Sequence, residues 1–241
     1  MPHVPPAKRH PYDQWSPDAR ALDLVGDKWT LLIVRDLISG PRRFVELQRV
    51  LPGISTEQLR SRLNRMVADG MLTRKRYREV PPRVDYELTE RAIALAPVLG
   101  ELARWGYDWA WSTPRPLEAV DIGAIFRLLP GLLTAVTDVS GRIDLTVVDG
   151  RDGDETTIYS VTLADDGVLL SEHGPGHEAP DGAADATVQG SASAWVRALG
   201  PRPEPDGLQS SGRPELTSLV LQTLSPVELH GDAAAVESAA S

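Results

Sequence analysis

The feature that most constrains this chain is the compact run from 44 to 88, where turn signals separate short helical and strand-like segments. The amphipathic segment FVELQRVL ends at Pro52-Gly53, because proline cannot continue a helix and glycine tolerates positive φ. Ser55, followed three residues later by Gln58, is a capping box, in which each side chain satisfies a backbone amide at a helix start. The pattern predicts a helix, a tight turn and a second helix.

The second helix, predicted over 56–69, has one apolar and one polar face. Its apolar positions are spaced for burial against a core, and they are Leu59, Leu63, Met66 and Val67. Its polar face presents Gln58, Ser61, Asn64 and Arg65, with Arg60 and Arg62 on the flanks. Gly70 then ends the helix in the usual C-terminal position.

A basic hairpin directly follows this helix. Leu72 to Arg78 and Arg83 to Leu88 have strand-like composition, and they lie on either side of Val80-Pro81-Pro82. Prolines are excluded from central strands but fit such a turn. The sequence therefore predicts a two-stranded ribbon rich in Arg and Lys.

Charge is distributed unevenly along the 241 residues. The formal net charge of -9 combines residues 1–113, with 18 basic and 14 acidic side chains, and residues 114–241, with 7 basic and 20 acidic ones. Residues 40–91 alone hold 12 basic and 7 acidic side chains. Positive charge is thus concentrated around the predicted helices and ribbon, which favours a polyanionic partner, although a solvated charged face gives the same count.

These elements have the shape and chemistry of a DNA-binding surface. A helix fits the major groove of B-form DNA, where Arg and Gln can pair with base edges, and a basic ribbon beside it can neutralise phosphates. The candidate DNA contacts are Gln58, Ser61, Arg62 and Arg65 on the helix and Lys75, Arg76, Arg78 and Arg83 on the ribbon. Taken singly, each of these arginines is more often a solvated surface charge than a base reader.

Helices are also predicted on both sides of this run. Residues 17–26 and 28–39 have helical spacing, and Gly40-Pro41 ends the second of them. Thr89 is a candidate helix cap, and Pro97 predicts a break, since its ring does not fit a helix interior. An apolar stripe that is typical of a core or a dimer interface follows, at Val98, Leu102, Trp105 and Trp109.

Four segments carry a resemblance to the HxlR family of winged-helix regulators. They are ALDLVGDKWTLLIVRDL (21–37), ISTEQLRSRL (54–63), DGMLTRKRYREVPPRVDYELT (69–89) and LAPVLGELARW (95–105). The resemblance spans roughly 16–110, and the GxKWTLLI and PPRVxYxLT motifs are distinctive of the group. It implies a homodimer that binds an inverted-repeat operator in double-stranded DNA, with 56–69 as recognition helix and the hairpin as wing.

The chain departs from this family's pattern at several positions. Many members sense oxidants or electrophiles through a cysteine just before the proline of the first helix, where this chain has Ser16, so that route is excluded. Glu57 and Asn64 stand where Lys and a basic residue are common, which puts the family's base preferences in doubt here. Ala92 replaces a usual glycine, with little functional weight.

The C-terminal half predicts a sheet with flanking helices. A helical stretch over 122–136, interrupted by Pro130-Gly131, precedes an antiparallel meander with strands at 142–149, 156–164 and 167–172 and an acidic turn at 150–155. A fourth strand is predicted at 184–189. Helices are predicted at 191–199 and 215–224, with a Pro/Gly-rich loop between them.

The segments GRIDLTVVDG and ADATVQGSASAWVRALG, with the closing helix, resemble a sterol-carrier-protein domain over about 120–230. The resemblance implies an apolar tunnel between the sheet and its helices, and hence an apolar small-molecule effector. The candidate lining residues are Ile125, Leu129, Leu133, Trp195, Leu199, Leu219 and Leu224. Each of them is also what an ordinary hydrophobic core would contain.

Several kinds of site are not expected. The chain has no cysteine, which excludes disulfides and thiolate metal sites. His173 and His177 are separated by Gly-Pro-Gly, so they cannot form a helical metal pair, and neither a metal nor a cofactor is predicted. The sequence has no apolar stretch of membrane-spanning length and no signal-peptide core at its start, so a cytoplasmic protein is expected.

Together these features predict an α+β protein. A winged helix-turn-helix domain for DNA binding and dimerisation is expected in 1–113, and an α/β sterol-carrier-like domain, with a mainly antiparallel sheet covered by helices, in 114–230. The Pro-rich segment 112–116 marks the boundary, and 231–241 is predicted to be a disordered tail.

The predicted function is a DNA-binding transcriptional regulator of the HxlR type that responds to an apolar effector. The alternative is a carrier of lipid or another apolar ligand, whose winged helix serves dimerisation or protein contacts. An enzyme is disfavoured, since the sequence has no G-x-S-x-G elbow, P-loop or dinucleotide fingerprint.

Overall fold

A computed structural model of the chain describes residues 11–78, 83–133, 139–149, 155–174 and 182–225. The elements of the first half, in chain order, are α1 (Pro17–Val25), α2 (Thr30–Leu37), β1 (Arg42–Arg43), α3 (Phe44–Val50), α4 (Thr56–Ala68), β2 (Leu72–Tyr77), β3 (Arg83–Leu88), α5 (Glu90–Ile93) and α6 (Ala96–Trp109). Those of the second half are α7 (Ile122–Phe126), α8 (Leu129–Leu132), β4 (Gly141–Asp149), β5 (Glu155–Ala164), β6 (Gly167–His173), β7 (Ala186–Ser191), α9 (Ala192–Ala198), β8 (Gln209–Gly212) and α10 (Pro214–Leu224).

Some sequence predictions fall outside the described residues. They concern the hairpin turn at 80–82, nearly all of the acidic turn at 150–155, His177 and the disordered tail at 231–241.

The first half has a winged helix-turn-helix fold. Its three strands form an antiparallel sheet in the order β1-β3-β2, and Arg74 of β2 is paired with Tyr86 of β3. Helices α2, α3 and α4 bury their apolar faces in one cluster with this sheet, to which α6 adds Leu99, so that Ile33, Leu47 and Leu59 are fully buried. Burial of these side chains fixes the position of α4 and leaves its polar face outside.

The second half is built on a five-stranded sheet. The strand order is β6-β5-β4-β7-β8, in which β4 and β7 are parallel and the other neighbours are antiparallel. One face of the sheet, which includes Ile143, Leu145 and Val161, packs with α8, α9 and α10 in a second hydrophobic cluster. The predicted mainly antiparallel sheet with covering helices is therefore present in the described residues.

Several local predictions need correction. The helical stretch predicted from 122 is interrupted, but between Phe126 and Leu129 and not at Pro130-Gly131. Both of those residues lie inside α8, where the proline occupies the first turn, a position that needs no amide donor. Strands β1 and β8 were not predicted. Thr89 stands at the start of α5, but its hydroxyl donates to the carbonyl oxygens of Gly70 and Met71 and does not cap the helix. The break near Pro97 is confirmed, since α5 ends at Ile93 and α6 has Pro97 in its first turn.

A buried ion cluster joins the two halves. The Arg127 guanidinium, only 1% exposed, contacts the carboxylates of Asp36 in α2 (Nη1–Oδ1 3.3 Å), Asp121 before α7 (Nη1–Oδ2 2.9 Å) and Glu172 in β6 (Nη2–Oε2 2.9 Å). Arg42 of β1 also pairs with Glu172 and donates from Nε to the carbonyl oxygen of Asp36 at 2.6 Å. The winged-helix sheet and the second sheet are thereby tied through charged groups.

Burial dominates the electrostatics of this cluster. Burial raises the pKa of the Asp36 carboxyl, because desolvation outweighs the surrounding guanidinium groups, of which Arg35 is the strongest. Burial by itself lowers the pKa of Arg127, but the carboxylates of Glu172, Asp121 and Asp36 outweigh it and raise that pKa. The guanidinium is therefore charged, and removing it would take away the buried cation that Asp36, Asp121 and Glu172 share.

Candidate nucleic-acid interface

The turn between α3 and α4 is set by local sequence. Gly53 adopts a φ of 84°, which side-chain-bearing residues rarely adopt, and Leu51 and Ile54 on either side are buried. The predicted capping box is confirmed: the Gln58 amide donates to Ser55 Oγ, and the Ser55 amide donates to Gln58 Oε1, both at 3.1 Å. These contacts fix where α4 begins and how it projects from the core.

The four candidate contacts on α4 differ in accessibility. Gln58 and Ser61 are exposed, although the carbonyl oxygen of Gln58 is engaged in the cap, whereas Arg65 is half-buried. Arg62 forms an ion pair with Asp27, with 2.9 Å between Nη1 and Oδ2, and about a fifth of its side chain is exposed. Arg62 therefore joins α4 to the segment before α2.

Asp27 organises the start of α2 as well. Its Oδ1 accepts from the backbone amides of Trp29 and Thr30, at 2.9 and 3.1 Å, and its Oδ2 accepts from the Thr30 hydroxyl. A carboxylate at this place satisfies amides that have no partner within the helix and complements the positive end of the helix dipole. Because the same carboxylate binds Arg62, the two helices are held in a fixed relation.

Strand β2 of the wing is accessible along most of its length, whereas β3 buries Asp85, Tyr86 and Leu88. Five consecutive residues of β2, from Thr73 to Tyr77, are exposed, and so is Arg78. The ribbon candidates Lys75, Arg76 and Arg78 all lie on this exposed strand or directly after it. Beyond Leu72, which is buried in the core, β2 buries no side chain, so its cations are accessible to a partner.

Two wing candidates have intramolecular partners. Lys75 pairs with Glu87 across the hairpin, and the hydrogen bond to that carboxylate raises the pKa of Lys75. Arg83 pairs with the buried carboxylate of Asp85 at 2.7 Å and lies over the Tyr77 ring, 5.0 Å from its centroid. Both cations therefore have partners within the chain, yet Lys75 stays 54% and Arg83 38% exposed, and Arg76 and Arg78 add further exposed charge.

Arg74 is a candidate that sequence reasoning missed. Its Nη2 donates to Asn64 Oδ1 at 2.6 Å, and its guanidinium lies 5.3 Å from the centroid of the Tyr86 ring. The contact joins the wing to the polar face of α4. The sequence placed Arg74 in the basic run of β2, but the direction of its side chain towards α4 depends on the register of the hairpin.

A second surface feature is the apolar stripe of α6. Val98 and Leu102 are about half exposed, and the exposure rises to 59% at Trp105 and 68% at Trp109. Among the described residues, these four side chains belong to neither of the two buried clusters. Burying side chains of this size removes substantial apolar area from water and is strongly favourable.

The seven candidate lining residues of the second half lie in one hydrophobic cluster. Leu129, Leu133, Trp195, Leu199 and Leu224 are buried, and Ile125 and Leu219 are half-buried at its edge. The Trp195 indole donates to the carbonyl oxygen of Thr146 at 2.9 Å, and the Phe126 ring meets it edge to face. The predicted convergence of these side chains between the sheet and its helices is present, and whether they open around a ligand stays a prediction.

Within the part of the chain that the structure describes, no three His, Asp or Glu side chains are grouped so as to hold a metal ion. None of the helices placed there has the length and apolar character needed to cross a bilayer.

Comparison with known proteins decides the family. Residues 24–113 match the HxlR-like helix-turn-helix family. The transcriptional regulator YvaP of Bacillus subtilis (strain 168) is 38% identical over 90 residues, which cover 37% of this chain and 83% of that protein. The regulator BH0655 of Halalkalibacterium halodurans is 43% identical over 94 residues, which cover 39% and 83%.

The chain belongs to the HxlR-like helix-turn-helix family. Both relatives are named as uncharacterized transcriptional regulators of the helix-turn-helix type. Membership places this HxlR-like chain among transcriptional regulators whose helix-turn-helix binds DNA, with α3 and α4 as that motif. The family match ends at residue 113, so it does not extend to the second sheet.

Solved structures are similar over about two fifths of the chain. The reduced form of the transcriptional regulator YodB from B. subtilis is 33% identical, with a TM-score of 0.37 over 40% of this chain and 96% of that one. A structure of the redox regulator HypR in its reduced form is 36% identical, with a TM-score of 0.37 over 39% and 92%.

Proposed function

We propose that this HxlR-like regulator binds an inverted-repeat operator as a homodimer, with α4 in the major groove and the β2–β3 wing on the adjacent backbone. The observation that carries the proposal is the exposed basic ribbon beside α4, joined to it by the hydrogen bond from Arg74 to Asn64. Gln58, Ser61 and Arg65 are the proposed contacts of the helix. Lys75, Arg76, Arg78 and Arg83 are those of the wing.

The helix and wing residues are assigned different tasks. Exposed polar side chains on α4 face base edges and give sequence preference, whereas wing cations meet phosphates and give affinity for any duplex. Arg62 is proposed to act by holding α4 against Asp27, because the ion pair occupies its guanidinium. This assignment separates the eight candidate residues into base readers, phosphate contacts and one positioning residue.

Dimerisation through α6 completes the operator-binding unit. The exposed stripe of Val98, Leu102, Trp105 and Trp109 has the length of a helix–helix seam, and a second copy of the same stripe is its natural cover. Two recognition helices would then reach successive major grooves about 34 to 36 Å apart. The operator would show two half-sites related by a two-fold axis.

The test of DNA recognition is selection from random duplexes by the wild-type protein. The expected result is an enriched inverted repeat with half-sites one helical turn apart. Replacing Ser61 or Gln58 by alanine should relax the sequence preference at specific base pairs, whereas R76A should lower the affinity for all duplex sequences alike. The assignment would be contradicted if the wild type selected no preferred sequence. It would also be contradicted if the Ser61 and Gln58 variants kept the preference of the wild type.

The dimer is tested separately by sedimentation. Trp105→Glu places a charge in the stripe and should convert the protein to a monomer, whereas Leu169→Glu, at an exposed apolar position in β6, should leave the dimer intact. A dimer that persists in W105E would show that α6 is not the seam.

The second half is proposed to be a sterol-carrier-like domain that holds an apolar effector. Support comes from the five-stranded sheet with its helices on one face and from the cluster of seven lining candidates between them. Ile125, Leu129, Leu133, Trp195, Leu199, Leu219 and Leu224 would contact the ligand.

Fluorescence titration with cis-parinaric acid tests this ligand class. Saturable binding is expected in the wild type and in Leu169→Trp, while Leu219→Trp, which enlarges a half-buried lining side chain, should weaken binding about tenfold. The carrier alternative predicts the same titration but no duplex binding, so the two functions are separated by the operator selection.

A further inference from the structure

Helices α6 and α8 approach each other more closely than side chains allow. A Cβ added to Gly100 of α6 would lie 2.1 Å from the carbonyl oxygen of Gly131 in α8, and one added to Gly131 would lie 2.0 Å from that of Ala96. Both glycines are buried. The backbones are therefore in direct contact, and only glycine at both positions permits this.

The same interface has a polar contact and an aromatic one. Arg104 of α6 donates to the carbonyl oxygen of Leu132 at the end of α8. Tyr107, one turn further along α6, packs against the hydrophobic cluster of the second half and meets Trp111 edge to face. Trp111 donates to the carbonyl oxygen of Leu199, at 2.9 Å, so the contact continues beyond the end of α6.

The two helices carry different functions on their remaining faces. Leu129 and Leu133, in and directly after α8, point into the cluster proposed to hold an apolar effector. The opposite side of α6 carries the exposed stripe proposed as the dimer seam. The glycine contact therefore lies between the candidate ligand site and the candidate dimer interface.

We propose that α8 transmits the occupancy of the apolar cluster to α6 through the Gly100–Gly131 contact, and thereby sets the separation of the two recognition helices. The inference rests on the proposed function. A backbone contact has no flexible side chain to absorb displacement, so a shift of α8 must move α6 or separate the helices. A change in the α6 seam alters the distance between two α4 helices and hence operator affinity.

The first test compares two glycines of the same helix. Gly100→Ala forces α8 away from α6, whereas Gly106→Ala adds the same methyl group where nothing lies within 4 Å. Affinity is measured for the operator selected by the wild type, without added ligand. G100A should change affinity about tenfold or more while remaining dimeric, and G106A should stay within about twofold. A folded, dimeric G100A within twofold of the wild type would overturn the proposal.

The second test does not depend on whether G100A folds. Leu129 of α8 and Leu145 of β4 are both fully buried in the same cluster, so Leu129→Ala and Leu145→Ala remove the same atoms. L129A relaxes α8 and should change operator affinity about fivefold, whereas L145A should stay within about twofold at temperatures where both remain folded. Equal changes in both variants would overturn the proposal, because affinity would then follow stability alone.

The controls separate this inference from the proposed function. If the wild type selects no operator, the proposed function fails before any variant is compared. If the wild type binds its operator, but G100A has the same affinity as G106A and L129A the same as L145A, only the proposal of transmission through α8 fails.

Discussion

Arg62 of α4 is bound to Asp27, which lies before α2, through an ion pair of 2.9 Å between Nη1 and Oδ2. Asp27 also accepts the first amides of α2, so a single carboxylate positions two helices of the winged-helix fold. An arginine that looks like a base reader in the sequence thus has an internal structural partner.

Arg62→Ala should lower the free energy of unfolding by about 1 to 2 kcal/mol, because it removes a half-buried pair and leaves Asp27 less well satisfied. Thermal and urea unfolding measure this. Arg60→Ala is the matched control on the same helix, since the Arg60–Glu57 pair is exposed and should cost less than about 0.5 kcal/mol. Equal losses in the two variants would show that the Asp27 pair does not position α4.

Arg127→Met should destabilise the protein by about 3 kcal/mol or more, because it removes the buried cation that contacts Asp36, Asp121 and Glu172. Arg115→Met is the control, since Arg115 pairs with Glu118 at the surface and most of its side chain is exposed. Denaturant unfolding followed by circular dichroism measures both. A loss at Arg127 no larger than that at Arg115 would contradict the role of the ion cluster in joining the two halves.

Tyr107→Phe should stabilise the protein by about 1 kcal/mol at neutral pH. The Tyr107 hydroxyl is buried, and the described residues offer it no hydrogen-bond partner, so its desolvation is uncompensated. Tyr12→Phe, at an exposed position, should change stability by less than about 0.5 kcal/mol. A loss of stability in Y107F would imply a partner for the hydroxyl.

The same residue predicts a dependence on alkaline pH. Burial raises the pKa of Tyr107 to about 12, from 10.0. The folded state holds the Tyr107 proton more tightly than the unfolded state does. The contribution of the protonated hydroxyl to the free energy of unfolding is therefore fully present below pH 10 and is lost as pH rises through about 12. Wild type should lose about 2 kcal/mol more than Y107F over this window. Parallel stability curves for the two proteins would contradict this.

Local chemistry explains what the sequence predicted well. The Ser55–Gln58 capping box, the turn at Gly53 and the break before Pro97 each depend on residues within four positions of each other. Local sequence is therefore enough to predict them. The apolar period of α4 predicted its buried face for the same reason.

Contacts between distant segments explain the features that the sequence did not predict. Pro130-Gly131 looks like a helix break by composition, but the glycine is required by the approach of α6, which lies about thirty residues earlier in the chain. Strand β8 is short, exposed and rich in serine, and it exists because its backbone pairs with β7. The partners of Arg62 and Arg127 likewise depend on how helices pack, which residue spacing does not encode.

The salt dependence of operator binding tests the central claim most directly. Log affinity should fall linearly with log salt, and the double variant R76A/R78A should reduce the slope by about 2, since each wing arginine neutralises one phosphate. Arg202→Ala, an exposed arginine of the second half, should leave the slope unchanged. An unchanged slope in R76A/R78A, or an equal reduction in R202A, would contradict a DNA-binding wing.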